Sequence, residues 1–170
     1  MKISDDQINR YSGQINLKKI SVLGQKKIIN AKVLIIGIGG LGTPALSYLA
    51  RAGIETLGIA DSDKVSLSNI HRQILFDKKD VGKFKTEVAK KKIKQINKKI
   101  KIKVFQTNIN EKNIFNIIKN FDIILDCTDS FASKLTINDA CLKHKKLLIT
   151  GAVSKFIGHL FVFNFKNTKV

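Results

Sequence analysis

The sequence is short of several residue types that mark special architectures. Its 170 residues include one proline, two cysteines and no tryptophan. A single proline and no low-complexity run indicate one main domain without a flexible linker. Two cysteines are too few for a disulfide framework or a four-cysteine zinc site, so we expect no zinc in this chain. Cys127 and Cys141 are interpreted as small, buried apolar residues.

Long hydrophobic runs are also missing. The longest apolar stretches, such as residues 33–36, fall far short of the roughly 20 residues needed to cross a bilayer. The first residues contain no apolar signal core. We therefore expect a cytoplasmic protein without membrane contacts. Because 44% of the residues are hydrophobic and 26% are charged, the chain can bury a core, which excludes general disorder.

Acidic residues and arginines are scarce. The chain has 13 acidic and 31 basic residues, for a net charge of +18, and its only arginines are Arg10, Arg51 and Arg72. A basic chain suggests a nucleic-acid partner. However, specific recognition of phosphates and bases relies on arginine, and the lysines here are spread along the whole chain. We therefore do not expect nucleic acid as the partner, but the charge should attract polyanions such as ATP and acidic proteins.

Hydrophobic periodicity predicts a Rossmann-like α/β fold. We expect an open, mostly parallel sheet with helices on both faces and antiparallel pairing at the C-terminal end. A helical arm over residues 1–31, with helices near 4–11 and 25–30, precedes one domain over residues 32–170. The predicted strands of that domain are 32–37, 55–60, 101–106, 122–126, 146–150 and 158–165. Its predicted helices are 41–52, 83–97, 111–120 and 131–144.

A glycine-rich turn joins the first predicted strand to the helix after it. Gly37, Gly39 and Gly42 form Gly-x-Gly-x-x-Gly, in which the glycines allow a tight turn, a close approach of backbone to phosphates and helix–strand packing. Asp61 ends the next strand, where a ribose-hydroxyl acceptor is expected. This pattern predicts a nucleotide site, although it fits NAD as readily as ATP. A tight turn without a ligand is the simpler alternative.

A second group of polar residues favours ATP over NAD. The group is expected at or beyond the carboxyl ends of the strands, which is where open α/β sheets bind ligands. It includes two permanent cations, Arg72 and Lys85. Hydride transfer does not need cations to offset charge on a leaving group, whereas cleavage of a phosphate chain does. The other members of the group are Asp61, Asp63, Ser68, Asn69, Gln73, Gly82, Asp126, Thr128, Asp129 and Ser130.

Simpler structural roles remain open for four of these residues. Asp61 and Asp129 are also suited to capping a turn or a helix. Lys85 belongs to a lysine-rich segment whose ordinary role is a solvated helix face. Arg72 is also suited to a surface salt bridge.

Six segments of the chain together form a recognisable pattern. They are Arg10-Tyr-Ser-x-Gln, the glycine turn 37–42, Asp61 to Gln73, Val81-Gly-x-x-Lys85, Asp126-Cys-Thr-Asp-Ser130 and Gly151-Ala152. These segments resemble the ThiF/MoeB/HesA family, whose members are related to the ubiquitin-activating enzymes. Within the family they are more similar to the molybdopterin-synthase and thiazole-pathway adenylyltransferases than to the tRNA-threonylcarbamoyladenosine dehydratase branch. The resemblance implies ATP-dependent adenylation of the C-terminal Gly-Gly carboxylate of a small ubiquitin-like sulfur-carrier protein, for molybdopterin or thiamine biosynthesis.

The resemblance also assigns roles to residues. Arg72, Lys85 and Asp129 are implied as the catalytic residues. The two cations stabilise the phosphates and the departing pyrophosphate, and Asp129 holds Mg²⁺. Asp61 accepts from the ribose, and Asn69 contacts a phosphate. The implied ATP-binding set is Gly37, Gly39, Gly40, Gly42, Asp61, Asp63, Ser68, Asn69, Arg72, Lys85, Asp129 and Ser130.

The sequence departs from the family pattern at Gly13. The family carries there a second arginine that reaches the ATP of the opposite subunit of a homodimer; here Arg10 or a nearby lysine would have to supply that charge. The family's C-terminal half, which holds structural zinc and contributes to dimerisation, has no counterpart in these 170 residues. The alternative function is therefore a nucleotide-binding partner module without turnover. An NAD-dependent oxidoreductase is a third hypothesis.

Overall fold

The computed structural model describes residues 3–165. Residues 1–2 of the predicted arm and 166–170 of the predicted domain lie outside the described residues. Two single turns of 3₁₀ helix, Leu67–Asn69 and Lys78–Asp80, lie in the long connecting segment between residues 60 and 85. In chain order the elements are α1 Asp5–Arg10, α2 Ser12–Ile15, α3 Ser21–Asn30, β1 Lys32–Ile36, α4 Gly42–Ala52, β2 Thr56–Ala60, α5 Lys85–Ile96, β3 Lys101–Phe105, α6 Ile114–Ile118, β4 Ile123–Asp126, α7 Phe131–Lys143, β5 Leu147–Ser154 and β6 Ile157–Phe163.

The strands form one six-stranded sheet in the order β3-β2-β1-β4-β5-β6. Strands β1 to β5 pair in parallel, and β6 pairs antiparallel with β5. The chain moves outward from β1 in one direction and then returns to build β4 on the other side, so the strand order reverses between β1 and β4. This arrangement confirms the predicted Rossmann-like fold class.

Both faces of the sheet are covered by helices. Along β1, Val33 and Ile35 face the core beneath α4 and α5, whereas Leu34 and Ile36 face the core beneath α6 and α7. A strand buried on both sides reads as a continuous apolar run, which is why 33–36 lacks polar alternation. Among residues 3–165, no helix is long and apolar enough to cross a membrane.

The first three helices pack onto the rest of the chain. Ser4 forms the predicted capping box with Gln7, and Tyr11 is buried. The amide of Gln7 donates to Glu55, and Arg10 donates to the backbone carbonyl of Ile96 at the end of α5. The sequence placed a boundary between residues 31 and 32, and in the structure this point falls between α3 and β1. The division into an arm and a domain stays a prediction.

Several element bounds differ from the sequence expectation. Helix α3 begins at Ser21, four residues before the predicted start, because Val22 and Leu23 are exposed and give no periodic signal. Helix α2 was not predicted at all, since a single turn has too few residues to show a period. Helix α6 is shorter than expected, and β5 continues beyond Thr150 to Ser154.

Gly58 in the centre of β2 provides a test of the packing between strand and helix layer. A Cβ at this position would overlap the ring of Phe121 and the side chain of Leu34. We expect Gly58→Ala to lower the free energy of unfolding by about 1–3 kcal/mol, measured by urea denaturation. Gly158 is the matched control, because it also lies in a strand but a Cβ there meets nothing within 4 Å. Equal stability of the two variants would contradict this close packing around Gly58.

Candidate functional site

The carboxyl ends of five strands lie side by side at one edge of the sheet. In the register, Ile36 at the end of β1 is level with Ala60 of β2 and Asp126 of β4. The residues after these strands therefore emerge together. They surround a cleft of about 810 Å³, within the usual size range for small-molecule sites, at the position where the strand order reverses.

Two glycines of the turn are required by the fold itself. Gly37 has φ +88°, and a Cβ there would lie 2.8 Å from the carbonyl oxygen of Cys127 on the neighbouring strand connection. A Cβ on Gly42 would overlap the carbonyl oxygen of Gly37. The turn is held further by Thr43, whose hydroxyl donates to the carbonyl of Gly39 at 2.8 Å. Gly37 and Gly42 thus shape the turn for steric reasons within the protein.

The other two glycines of the turn are not required by the fold. A Cβ on Gly39 would meet only the side-chain nitrogen of Gln73 at 3.7 Å, and one on Gly40 only the side chain of Arg72, also at 3.7 Å. Both distances are ordinary van der Waals contacts, and neither glycine has a positive φ. Gly39 and Gly40 line the cleft, so the missing side chains leave space for a group outside the protein.

Asp61 connects the glycine turn to the rest of the cleft. One carboxylate oxygen accepts from the backbone N–H of Ile38 and the other from that of Asp63, each at 2.7 Å. Burial raises the pKa of Asp61, although these two N–H groups and the nearby Lys85 oppose the increase. The bond from Asp63 is the turn-capping role considered for Asp61. Each oxygen retains a further lone pair, so this role is compatible with accepting a ribose hydroxyl.

Lys85 begins α5 and is unlike the other lysines. It is the one buried lysine among residues 3–165, with 5% of its surface exposed. Its ammonium group donates to the carboxylate of Asp63 at 2.7 Å, and its backbone N–H donates to the carbonyl of Asp63 at 2.9 Å. Lys85 and Asp63 both line the cleft. The burial of Lys85 does not agree with the solvated role that its lysine-rich segment suggested.

Arg72 and its neighbours approach the glycine turn from the segment between β2 and α5. The aliphatic part of Arg72 lies over Gly40, and its guanidinium donates to the backbone carbonyl of Ser68 at 3.3 Å. Arg72 and Asn69 line the cleft, whereas Ser68 does not. The hydroxyl of Ser68 instead shares a 2.9 Å hydrogen bond with that of Ser66. Ser68 therefore acts on the cleft through its backbone, by holding Arg72.

The connection from β4 to α7 forms the opposite wall. Ser130 is the N-cap of α7, with its hydroxyl accepting from the N–H of Ser133, so Asp129 does not hold that position. Asp129 is exposed and lines the cleft together with Ser130. Every member of the predicted set except Ser68 and Gly42 lines the cleft.

The cleft also contains residues that the sequence did not single out. The ammonium group of Lys134 donates to the buried carboxylate of Asp126 at 3.0 Å, to the hydroxyl of Thr150 and to the carbonyl of Gly151. These bonds tie α7 to the end of β4 and the middle of β5. Lys134 is one lysine among many in the sequence, so no pattern identified it.

Thr107 and Asn108 also line the cleft. They come after β3 in the same way that Asp61 comes after β2. The rule that ligands bind beyond the carboxyl ends of parallel strands would have found these two residues had it been applied to the third strand as well.

The side chains of the cleft are compatible with a nucleoside triphosphate and Mg²⁺. Arg72, Lys85 and the backbone N–H groups of the glycine turn suit phosphates, and Asp61 suits a ribose. Among residues 3–165, no three His, Cys, Asp or Glu side chains are grouped so that they could hold a metal ion by themselves. Mg²⁺ commonly takes only one or two carboxylates and completes its shell with phosphate oxygens and water, a role that Asp129 fits.

The topology and the cleft define a Rossmann-like protein with a polar ligand site at its switch point. A model of the ThiF family matches residues 11–170, and the chain belongs to that family. This result confirms the family resemblance that was found in the six sequence segments.

Two sequence relatives and one solved structure illustrate the similarity. Over 165 residues the chain is 43% identical to a probable molybdopterin-synthase adenylyltransferase of Gracilaria tenuistipitata var. liui, covering 97% of this chain and 46% of the relative. Over 166 residues it is 40% identical to the adenylyltransferase and sulfurtransferase MOCS3 of Culex quinquefasciatus, covering 98% and 38%. It aligns with E. coli tRNA N6-threonylcarbamoyladenosine dehydratase in complex with ATP at a TM-score of 0.86 and 29% identity, covering 92% and 65%. The chain thus spans less than half the length of these two sequence relatives.

Cys127 lines the cleft but is poorly suited to act as a nucleophile. Burial, followed by the charge of Asp126, raises the pKa of its thiol to about 12, although Lys134 opposes the increase. At pH 8 we expect iodoacetamide to modify Cys127 at least about a hundredfold more slowly than a free thiol, because the thiolate is the reacting species. Rates are measured by mass spectrometry of the folded protein.

Cys141 serves as the control, because it is fully buried and burial raises its pKa to about 12 as well. Both thiols should react at the free rate in urea. Rapid modification of Cys127 alone in the folded protein would contradict the expectation.

Proposed function

We propose that the chain is the nucleotide-binding part of an ATP-dependent adenylyltransferase that activates the C-terminal Gly-Gly carboxylate of a small ubiquitin-like sulfur-carrier protein. The observation that carries the proposal is the meeting of the glycine turn with Arg72, Lys85 and Asp129 in one cleft. The names of the relatives, which are adenylyltransferases, support the same reaction type.

The proposed reaction needs no general base. A C-terminal carboxylate has a pKa of about 3.5 and is ionised at neutral pH. One of its oxygens forms a bond to the α-phosphorus of ATP while the bond from that phosphorus to the bridging oxygen breaks. The products are an acyl-adenylate and pyrophosphate, and no proton is transferred. The obstacle is repulsion between two anions, so positive charge in the cleft is the main requirement.

Arg72 and Lys85 supply that charge from two sides of the cleft. Lys85 is held by Asp63, which is tied through Asp61 to the glycine turn, so its ammonium group is oriented before the substrate arrives. Arg72 is oriented by the carbonyl of Ser68 and lies against Gly40. Cations fixed in this way stabilise charge on a leaving group without reorganising during the reaction.

Asp129 is the proposed ligand of Mg²⁺. When bound, this ion would offset charge on the phosphate oxygens. Ser130 fixes the start of α7 next to Asp129, and the bonds of Lys134 hold α7 against β4 and β5. The function of these residues is to keep the Asp129 side of the cleft at a constant position relative to the glycine turn.

The carrier is proposed to belong to the molybdopterin or thiazole pathway. Identities of 43% and 40% to proteins of the molybdopterin-synthase adenylyltransferase and MOCS3 types support the former. The net charge of +18 favours an acidic partner. Cytoplasmic location and homodimer formation remain proposals.

The proposal is tested by ATP–pyrophosphate exchange in the presence of a Gly-Gly-ended carrier protein. We expect Lys85→Met and Asp129→Asn each to reduce the exchange rate by about a hundredfold or more, the usual cost of removing one preorganised electrostatic group. Lys90→Met on the exposed side of α5 and Asp139→Asn on α7 are controls with matched chemistry and should exchange at the normal rate.

Three results would contradict the proposed function or the roles given to its residues. Binding of ATP without any exchange by the unaltered protein would favour the partner module without turnover. Normal exchange by both cleft variants would refute the roles of Lys85 and Asp129. Tight binding of NAD with no affinity for ATP would favour the oxidoreductase.

A substitution at Gly40 should affect ligand binding without affecting folding. Gly40→Ala should lower the affinity for ATP by about tenfold or more, because the added methyl group occupies space that the nucleotide needs, while an ordinary 3.7 Å contact leaves the melting temperature unchanged. Affinity is measured by isothermal titration calorimetry and stability by thermal unfolding.

Gly13→Ala is the control for this variant, because a Cβ on Gly13 meets nothing within 4 Å and the residue does not line the cleft. Gly42→Ala should instead unfold at a lower temperature. Unchanged ATP affinity in Gly40→Ala would show that the nucleotide does not approach this glycine.

A further inference from the structure

Gln73 is a buried polar residue at the cleft to which no role has been given. Only 3% of its surface is exposed, yet it is part of the cleft lining. Its backbone N–H donates to the carbonyl of Asn69, and its own carbonyl accepts from Phe76. The backbone is therefore fixed by the turn that also carries Arg72, and the side chain is directed inward.

The side-chain amide of Gln73 has unused hydrogen-bonding capacity. Within residues 3–165, its buried carbonyl oxygen accepts no hydrogen bond, and its nitrogen, the atom nearer the glycine turn, donates none. The side-chain nitrogens of two other buried glutamines are paired: that of Gln7 donates to Glu55 at 2.9 Å, and that of Gln25 donates to the carbonyl of Ala52 at 3.0 Å. A buried amide without a partner is costly, so an amide kept in this state calls for an explanation outside the protein.

The position of the amide indicates what it could bind. Its nitrogen lies 3.7 Å from where a Cβ of Gly39 would be, beside the open part of the glycine turn. On one side of Gly39, the N–H of Ile38 donates to Asp61, the expected ribose acceptor. On the other side, Gly40 lies beneath the side chain of Arg72. Gln73 is thus between the ribose side and the cation side of the turn, which is where the first phosphate after a ribose would pass.

We propose that Gln73 is a nucleotide-binding residue whose side-chain nitrogen donates to a non-bridging oxygen of the α-phosphate. The proposal rests on the proposed function and adds a residue to it. The α-phosphorus is the atom that the carboxylate attacks. A neutral donor at this phosphate orients it, whereas a carboxylate at the same place would repel it. The cations of the cleft are then left for the β- and γ-phosphates.

The test compares ATP, AMP and adenosine by isothermal titration calorimetry on the full chain. Gln73→Met keeps the length of the side chain and removes the donor. We expect it to weaken ATP and AMP alike, by about tenfold to a hundredfold, and to leave adenosine unchanged, because the lost bond goes to the phosphate that only the first two share. Gln73→Glu, which has nearly the same shape, should weaken ATP and AMP still more.

Gln25→Met is the matched control. Gln25 is also a buried glutamine with an unpaired side-chain oxygen, but it does not line the cleft. It should lower stability without changing any of the three affinities. If Gln73→Met does not fold, Gln73→Glu carries the same comparison.

The outcomes separate the two proposals. If the unaltered protein binds neither ATP nor AMP, the proposed function fails. If it binds both and the Gln73 variants bind them equally well, the role of Gln73 is refuted while the proposed function stands. A loss of adenosine affinity as large as the loss for AMP would assign the contact to the nucleoside and would also overturn the inference.

Discussion

The carboxylate of Asp61 is the interaction on which the site depends. It joins the N–H of Ile38 in the glycine turn to the N–H of Asp63, and Asp63 in turn holds the ammonium group of Lys85. A turn, a strand end and the first residue of α5 are thereby linked through three short hydrogen bonds. Without Asp61, the glycine turn and the buried cation would lack their common support, even with the sheet unchanged.

The sheet register explains why much of the site could be predicted from the sequence. Strands 32–36, 56–60 and 123–126 are buried, β-branched-rich runs, so their ends were recognisable, and parallel pairing places the residues after those ends at one edge. Asp61, Lys85 and Asp129 could therefore be assigned to this edge of the sheet without knowledge of side-chain packing. The family segments narrowed the chemistry further. Helix α2 was missed because a single turn is too short to show a period, and the start of α3 was missed because Val22 and Leu23 are exposed.

The residues that the sequence could not predict depend on three-dimensional contacts. Nothing distinguishes Lys134 from other lysines until Asp126 and Thr150 are seen beside it. Gln73 belongs to the polar group found in the sequence, but only the structure shows that its side-chain amide has no hydrogen-bond partner within residues 3–165. A pattern of residue types records which groups are present and does not record which of them remain unpaired.

The four glycines of the turn at residues 37–42 are of two kinds. Gly37 and Gly42 are required by the packing of the backbone, whereas a Cβ on Gly39 or Gly40 would make only ordinary contacts within the protein. Under the proposed function, a descendant of this chain with alanine at Gly39 or Gly40 would keep the fold and lose the nucleotide. Superposition of whole chains would not reveal that loss. Relatives that no longer bind the nucleotide should therefore be sought by the residue that they carry at positions 39 and 40.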